Sequence, residues 1–222
     1  MNKVIVSWSG GKDSAFALYV LSKQKDVQVS GLLSTTSEKS GRLPMHEVKR
    51  EWIHKQAEAL GLPLYEVKLP EQADNAVYEQ RMKEQFDTFK ADGMTTIVHA
   101  DLYLEDIRQY RDKNLAQAGM TGLYPLWKRD TLEVAKEFVD GGFQAIVTTV
   151  DKEKLPKEMA GQLFDESFLE ALPDTVDPCG ERGEFHTFVF DGPIFHTPVR
   201  VKAGQRFETF GGQFAHAELA AW

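Results

Sequence analysis

The most restrictive feature of this chain is a six-residue turn, Ser9-Gly10-Gly11-Lys12-Asp13-Ser14, set between an apolar run, Lys3 to Trp8, and a helical stretch from Asp13 to about Lys23. Two adjacent glycines let the backbone bend tightly and approach an anion with no Cβ in the way. The helix that follows offers unpaired N–H groups and the positive end of its dipole. Ser9 and Ser14 add hydroxyls, Lys12 adds a positive charge, and Asp13 is placed to cap the helix or to hold Mg²⁺ through water. A Walker A loop would need four residues before its Gly-Lys pair, and the GxGxxG pattern is absent, so a different nucleotide fold is expected. The plain alternative is a Ser-Gly-Gly turn whose Asp merely starts a helix.

The residues that follow alternate between strand and helix patterns. Val27 to Thr35 reads as a strand, His46 to Leu60 as a helix stopped by Gly61 and Pro63, and Leu64 to Val67 as a short strand. A third helix carries Val77, Met82, Phe86 and Phe89, and Thr95 to His99 then reads as a buried strand. Leu104 to Ala118 is helical, Thr121 to Tyr124 a short strand, Asp130 to Val139 a helix opened by a capping box, and Phe143 to Val150 the last strand. Such alternation implies parallel pairing with right-handed crossovers: an α/β fold with an open, doubly wound, mostly parallel sheet. Ligand then belongs at the carboxyl ends of the strands. Beyond Asp151 the pattern changes. Glu184 to Phe190 and Ile194 to Val201 read as strands joined by a turn at Asp191-Gly192-Pro193, in a smaller β-rich unit. The boundaries expected are 1–150 for an ATP-binding domain and 151–222 for a substrate-recognition domain.

With 222 residues, 42% hydrophobic and 27% charged, the chain can bury a full core. No apolar stretch is long enough to span a membrane, and no export signal is visible. One cysteine, Cys179, fits a reducing compartment, so a cytoplasmic location is expected. A net charge of −8 argues against a nucleic-acid partner.

Ser9 to Ser14 resembles the SGGxDS signature of the PP-loop ATP pyrophosphatases, whose fold is that of the adenine nucleotide α-hydrolases, a Rossmann-like (HUP) arrangement. Three further segments resemble the diphthine ammonia ligase family: Asp101 to Arg108, Pro125 to Thr131, and Pro178 to Thr187. Together these segments span nearly the whole chain. The resemblance implies that the loop, with Ser7 just before it, binds ATP, that a substrate carboxylate attacks the α phosphorus, and that ammonia or an amine then displaces AMP.

Asp101, Glu105 and Asp106 beside Arg108 form a candidate Mg²⁺ and phosphate neighbourhood, with Asp13 and Asp101 as candidate metal ligands. The alternative is an acidic helix start with Arg108 in a surface ion pair. Lys128 and Arg129 sit before the Asp130 cap, facing phosphate or a substrate carboxylate, or simply solvent. Glu181, Glu184 and His186 cluster in a glycine-bearing loop suited to substrate recognition, and the period of two puts Glu184 and His186 on one strand face. Cys179 reads as a small buried residue or a site wall, not a nucleophile.

Archaeal and eukaryotic members of that family carry Glu-Tyr-Glu-Thr or Glu-Phe-Glu-Thr where this chain has Glu184-Phe185-His186-Thr187. The expectation is therefore a reaction type, an ATP- and Mg²⁺-dependent amide ligase with Lys12, Asp13, Asp101, Arg108 and Lys128 as catalytic candidates. The acceptor, a small-molecule or protein-borne carboxylate, stays open, as does a homodimer. Other activities of the same fold, tRNA modification or non-catalytic ATP sensing, are the alternatives.

Overall fold

A computed structural model describes residues 1–71 and 73–222 of the chain. Five parallel strands, β1 (Asn2–Ser7), β2 (Val27–Ser37), β3 (Leu64–Leu69), β4 (Thr96–Val98) and β5 (Thr121–Leu123), form a sheet in the order β3-β2-β1-β4-β5. The order reverses between β1 and β4, which opens a crevice at their carboxyl ends, directly above the Ser9 to Ser14 turn.

Side-chain alternation assigns the helices to the two faces. Val4, Val6, Leu32 and Val98 pack with residues of α1 (Lys12–Ser22) and α2 (Arg50–Leu60). Their sequence neighbours Ile5, Leu33 and Ile97 point the other way, onto α3 (Asn75–Ala91) and α4 (Glu105–Gln117). One-residue steps between two cores are what a strand covered on both faces requires. Helix punctuation follows the sequence signals. Asp74 caps α3 by accepting from Val77 N, and α2 stops at Gly61, which is left-handed at φ 66°.

The second unit departs from expectation in two ways. The run expected to close the parallel sheet, β6 (Gln144–Asp151), instead pairs antiparallel with β7 (Phe185–Asp191) and β9 (Phe214–Ala221). With β8 (Val201–Thr209) these strands make a separate antiparallel sheet, ordered β7-β6-β9-β8. The parallel sheet thus ends at Leu123, and 150 is not its limit. β6 misleads because it is central and covered: seven of its eight residues are buried, as in a parallel strand.

The expected hairpin at Asp191-Gly192-Pro193 does not form, and the hairpin is β8–β9. Residues 193–200 return along the first unit, with His196 N donating to Ala59 O at 2.8 Å and Ile194 and Phe195 packing on the main core. Pro193 and Pro198 lack the N–H groups that a central ladder would need. α5 (Thr131–Asp140), capped by Asp130, and the short α6 (Glu166–Glu170) complete the unit.

One hydrophobic core runs from β1 and α1 through α5 to β6, β7 and β9. Gln56, fully buried on α2, ties the units together at a single point. Its Oε1 accepts from Trp8 Nε1 at 2.9 Å, and its Nε2 donates to Gly10 O at 2.9 Å and Val189 O at 2.6 Å. Replacing it with leucine would leave Trp8 Nε1 without its partner and take one donor from each of Gly10 O and Val189 O, while Gly10 O keeps Val189 N; a buried group left unpaired costs roughly 1–3 kcal/mol. Gln56→Leu should lower unfolding stability by about 2 kcal/mol in denaturant titration. A loss below about 0.5 kcal/mol would mean the junction tolerates dehydration without partners.

Candidate active site

The loop after β1 is shaped from behind by the second unit. Gly10 is left-handed at φ 77°, and a Cβ there would fall 2.6 Å from Gln56 Oε1. A Cβ on Gly11 would meet Thr187 O at 3.0 Å. The glycines therefore serve close packing against α2 and β7 as well as approach to a ligand. β7 fixes the turn directly: Val189 N donates to Gly10 O at 2.9 Å, and Lys12 N donates to Thr187 Oγ1 at 2.9 Å.

In front of the loop lies a cleft of about 440 Å³, into which Ser7, Ser9, Asp13, Ser14, Asp101, Glu181 and His186 all face. Ser9 Oγ and Ser14 Oγ are 3.3 Å apart, and Ser14 Oγ donates to Gly11 O at 2.9 Å. The amides of Asp13 and Ser14 belong to the first helical turn, so helix geometry gives them no i−4 acceptor. Hydroxyls and amides together form an anion cradle.

Lys12 is placed differently from expectation. Its side chain is buried beneath the loop, where Nζ meets Asp13 Oδ1 at 2.7 Å and donates to the carbonyl of Cys179. Burial, the largest single influence, opposes the charge, but Asp13 together with its neighbours, Glu181 among them, outweighs it and the Lys12 pKa rises. Burial likewise pushes the Asp13 carboxyl up, with Lys12 opposing. The ammonium thus ties the loop to the segment carrying Glu181.

That segment is built on Asp177, whose Oδ1 accepts from Cys179 N at 2.8 Å and Glu181 N at 3.4 Å. Glu181 Oε1 accepts from Leu102 N at 2.8 Å, linking the segment to β4's outgoing loop. Its pKa rises to about 7, chiefly through burial, with Asp13 and Asp101 adding to the effect. Cys179 is buried and its thiol is pushed up to about 12 by burial, so it is a wall and no thiolate.

Several expected site residues lie elsewhere. Arg108 is held between the rings of Tyr124 and Trp127, 4.6 Å from each. Lys128 and Glu105 are exposed partners 3.8 Å apart, and Asp106 is exposed in the first turn of α4. Arg129 pairs with Glu137, while Asp130 accepts from Glu133 N at 2.9 Å as a cap. Glu184 does not line the cleft with His186: its buried carboxylate accepts from Arg182 N at 3.0 Å and Asp177 N at 3.3 Å, bracing the loop.

Other residues of the cleft carry no pattern in the sequence. Arg111 pairs with Asp101, Nε to Oδ2 at 2.8 Å. His46 stacks on His186 with ring centroids 4.2 Å apart, and His46 Nδ1 and His186 Nε2 are buried without partners among the described residues. Both rings are neutral. Burial, with Lys12 helping, lowers His46 to about 4, and burial, then His46 and Lys12, takes His186 well below the usual range.

His46 was expected at a helix start, but α2 begins at Arg50, and Met45 and Glu47 on either side are left-handed. The second unit holds that loop. Thr149 Oγ1 donates to His46 O at 3.3 Å, and Arg42 and Lys49 pair with Glu218 at 2.6 and 3.6 Å.

Among the described residues no helix is long and apolar enough to cross a membrane, and no three of His, Cys, Asp and Glu are grouped to hold a metal by themselves. The acid-rich floor, Asp13, Asp101 and Glu181, fits a hard cation brought in on a phosphate ligand.

Two family descriptions match the chain: the diphthamide synthase N-terminal domain over residues 2–122 and the C-terminal domain over residues 130–220. Their division falls where the parallel sheet ends. Diphthine–ammonia ligase of Schizosaccharomyces pombe is 26% identical over 99% of this chain and 39% of its own length. The enzyme of that name from Danio rerio is 28% identical over 90% of this chain and 87% of its own. That from Homo sapiens is 29% identical over 46% of this chain and 40% of its own. The chain thus spans about two fifths of the length of the S. pombe relative.

The raised Glu181 pKa has a consequence for stability. Below about pH 4.5 the carboxyl is protonated folded and unfolded; the cost builds as pH rises from about 4.5, where the unfolded chain ionises first, and is complete above about 7. Glu181→Gln keeps an oxygen for Leu102 N and removes that cost. It should gain stability over the parent between pH 5 and pH 8, by about 1–2 kcal/mol after allowance for partial solvation. Denaturant midpoints at the two pH values check this, and an unchanged difference would contradict it.

Proposed function

The chain belongs to the diphthamide synthase family, and on that premise we propose that it is an ATP-dependent amide ligase of the AMP-forming kind, working in the cytoplasm. The observation that carries the reading is the cradle of Ser9, Ser14 and the first amides of α1, opening on a cleft whose far wall is the Glu181 to His186 segment. The β and γ phosphates of ATP seated there would leave as pyrophosphate on the side where the anion donors already are.

In the first step a substrate carboxylate oxygen bonds to the α phosphorus. The bond from that phosphorus to the oxygen bridging to the β phosphate breaks, and pyrophosphate departs. In the second step ammonia nitrogen bonds to the acyl carbon, the bond from that carbon to the AMP oxygen breaks, and the nitrogen gives up a proton.

Glu181, half ionised near neutral pH, is suited to receive that proton. Arg111 takes the part that sequence reading gave to Arg108 and Lys128, offsetting charge on phosphate or carboxylate from within the cleft. Lys12 acts through position, clamping the loop to the Glu181 segment.

Three carboxylates face the cleft against Arg111 and the buried Lys12, a balance that would repel a bare triphosphate. Mg²⁺ fits as the neutralising partner, held by Asp13 or Asp101 together with the phosphates and their water. It would supply charge compensation at the leaving group.

Incubation with Mg·ATP, ammonium and a panel of carboxylic acids should yield AMP and pyrophosphate in equal amounts. Ser14→Ala should lower the rate at least tenfold. Release of ADP and phosphate would contradict the assignment, as would AMP formation indifferent to the Ser14 change.

A further inference from the structure

α3 and α4 cover the same face of the parallel sheet but stand apart, leaving a groove of about 490 Å³ between them. Tyr78, Met82 and Phe86 line it from α3, and Leu115 and Ala118 from the α4 side. Apolar chains also reach its mouth, where Ile107 and Tyr110 are 42% and 38% exposed. An α/β face normally closes such a gap by packing helix on helix. Here it remains as concave apolar surface of the size small molecules occupy.

The groove is continuous with the phosphate-loop cleft, for Tyr78, Met82, His99 and Arg111 line both. The junction has a definite chemistry. His99 is buried and neutral, its pKa lowered by burial and then by Arg111. Arg111 donates Nη2 to Asp101 Oδ1 at 3.2 Å while its Nε, 2.8 Å from Asp101 Oδ2, makes no aligned hydrogen bond, and a guanidinium has five N–H donors, so some remain for a ligand oxygen. An apolar slot ending on a cation that also faces the reactive cleft suits a molecule with an apolar body and one anionic end.

We propose that the α3–α4 groove is the acceptor subsite, taking the apolar body of a small carboxylic acid whose carboxylate lies at Arg111, beside the phosphate cradle. This rests on the ligase reading and narrows it, naming the substrate class as aromatic or branched aliphatic acids over small hydrophilic ones. The groove's apolar walls supply affinity in proportion to the area they cover. Arg111 supplies orientation, presenting the carboxylate to the α phosphorus.

The test is binding, followed by ligand-observed NMR with a nonhydrolysable ATP analogue and Mg²⁺ present. The probes are 3-phenylpropionate and 4-methylpentanoate against glycolate and succinate. The apolar acids should bind at least tenfold more tightly than the hydrophilic ones. Ala118→Trp, which fills the groove, and Ala76→Trp, at its exposed rim, should each weaken them at least fivefold while analogue affinity stays within twofold.

Thermal unfolding verifies that each variant is folded, and the rim variant stands if the interior one is not. Equal binding of hydrophilic acids, or indifference to both tryptophans, overturns the proposal. Loss of analogue affinity instead would overturn it by placing the nucleotide base in the groove. If apolar acids bind and are displaced yet no acid yields AMP, the ligase reading fails and the subsite stands. If acids are adenylated but the tryptophans change nothing, the subsite fails and the ligase reading stands.

Discussion

The contact between β7 and the turn after β1 governs this molecule. Val189 N on Gly10 O, Thr187 Oγ1 on Lys12 N and the Gln56 amide on the carbonyls of both Gly10 and Val189 fix a glycine turn that would otherwise sample many conformations. A phosphate cradle needs fixed donors, because donors that must be ordered by the ligand give back much of their binding energy. On the proposed reading the second unit is therefore part of the nucleotide site, although most of its residues never face the cleft. The shared hydrophobic core from α1 to β9 makes that support rigid.

The same dependence explains the cleft's electrostatics. Lys12 and Glu181 come from opposite ends of the chain and meet only because the Asp177 turn and the loop are docked together. Burial there holds His46 and His186 neutral and keeps Glu181 near half ionisation. The cleft thus combines hydroxyl and amide donors, a carboxyl that exchanges protons near neutral pH, and an acidic floor suited to a cation-bearing phosphate. The proposed adenylating ligase would need each of them, to grip pyrophosphate and to move a proton.

Much of this was readable from residues alone, for reasons specific to each. Local signals act over short spans, so the parallel α/β architecture, the Asp130 cap and the phosphate turn could all be placed from sequence. Sheet membership is a long-range property. β6 carries the buried apolar run of a central strand in either sheet, and only its pairing with β7 and β9 separates the cases. Within the site, Ser7, Ser9, Asp13, Ser14, Asp101, Glu181 and His186 do face one cleft. Arg108 lies in a recognisable segment, yet two aromatic rings hold it away while Arg111, one turn on, pairs with Asp101. His46 was hidden because a left-handed loop, clamped by Thr149 and Glu218, has no periodic signature.

The central claim is that the turn after β1, held by β7, grips the departing end of ATP. A crystal structure with Mg²⁺ and α,β-methylene ATP tests it most directly. The account predicts β and γ phosphate oxygens within hydrogen-bond distance of the Asp13 and Ser14 amides and the Ser9 and Ser14 hydroxyls, with β7 still bonded to Gly10 and Lys12. A triphosphate seated elsewhere, or a turn that releases β7 in order to bind it, would contradict the account.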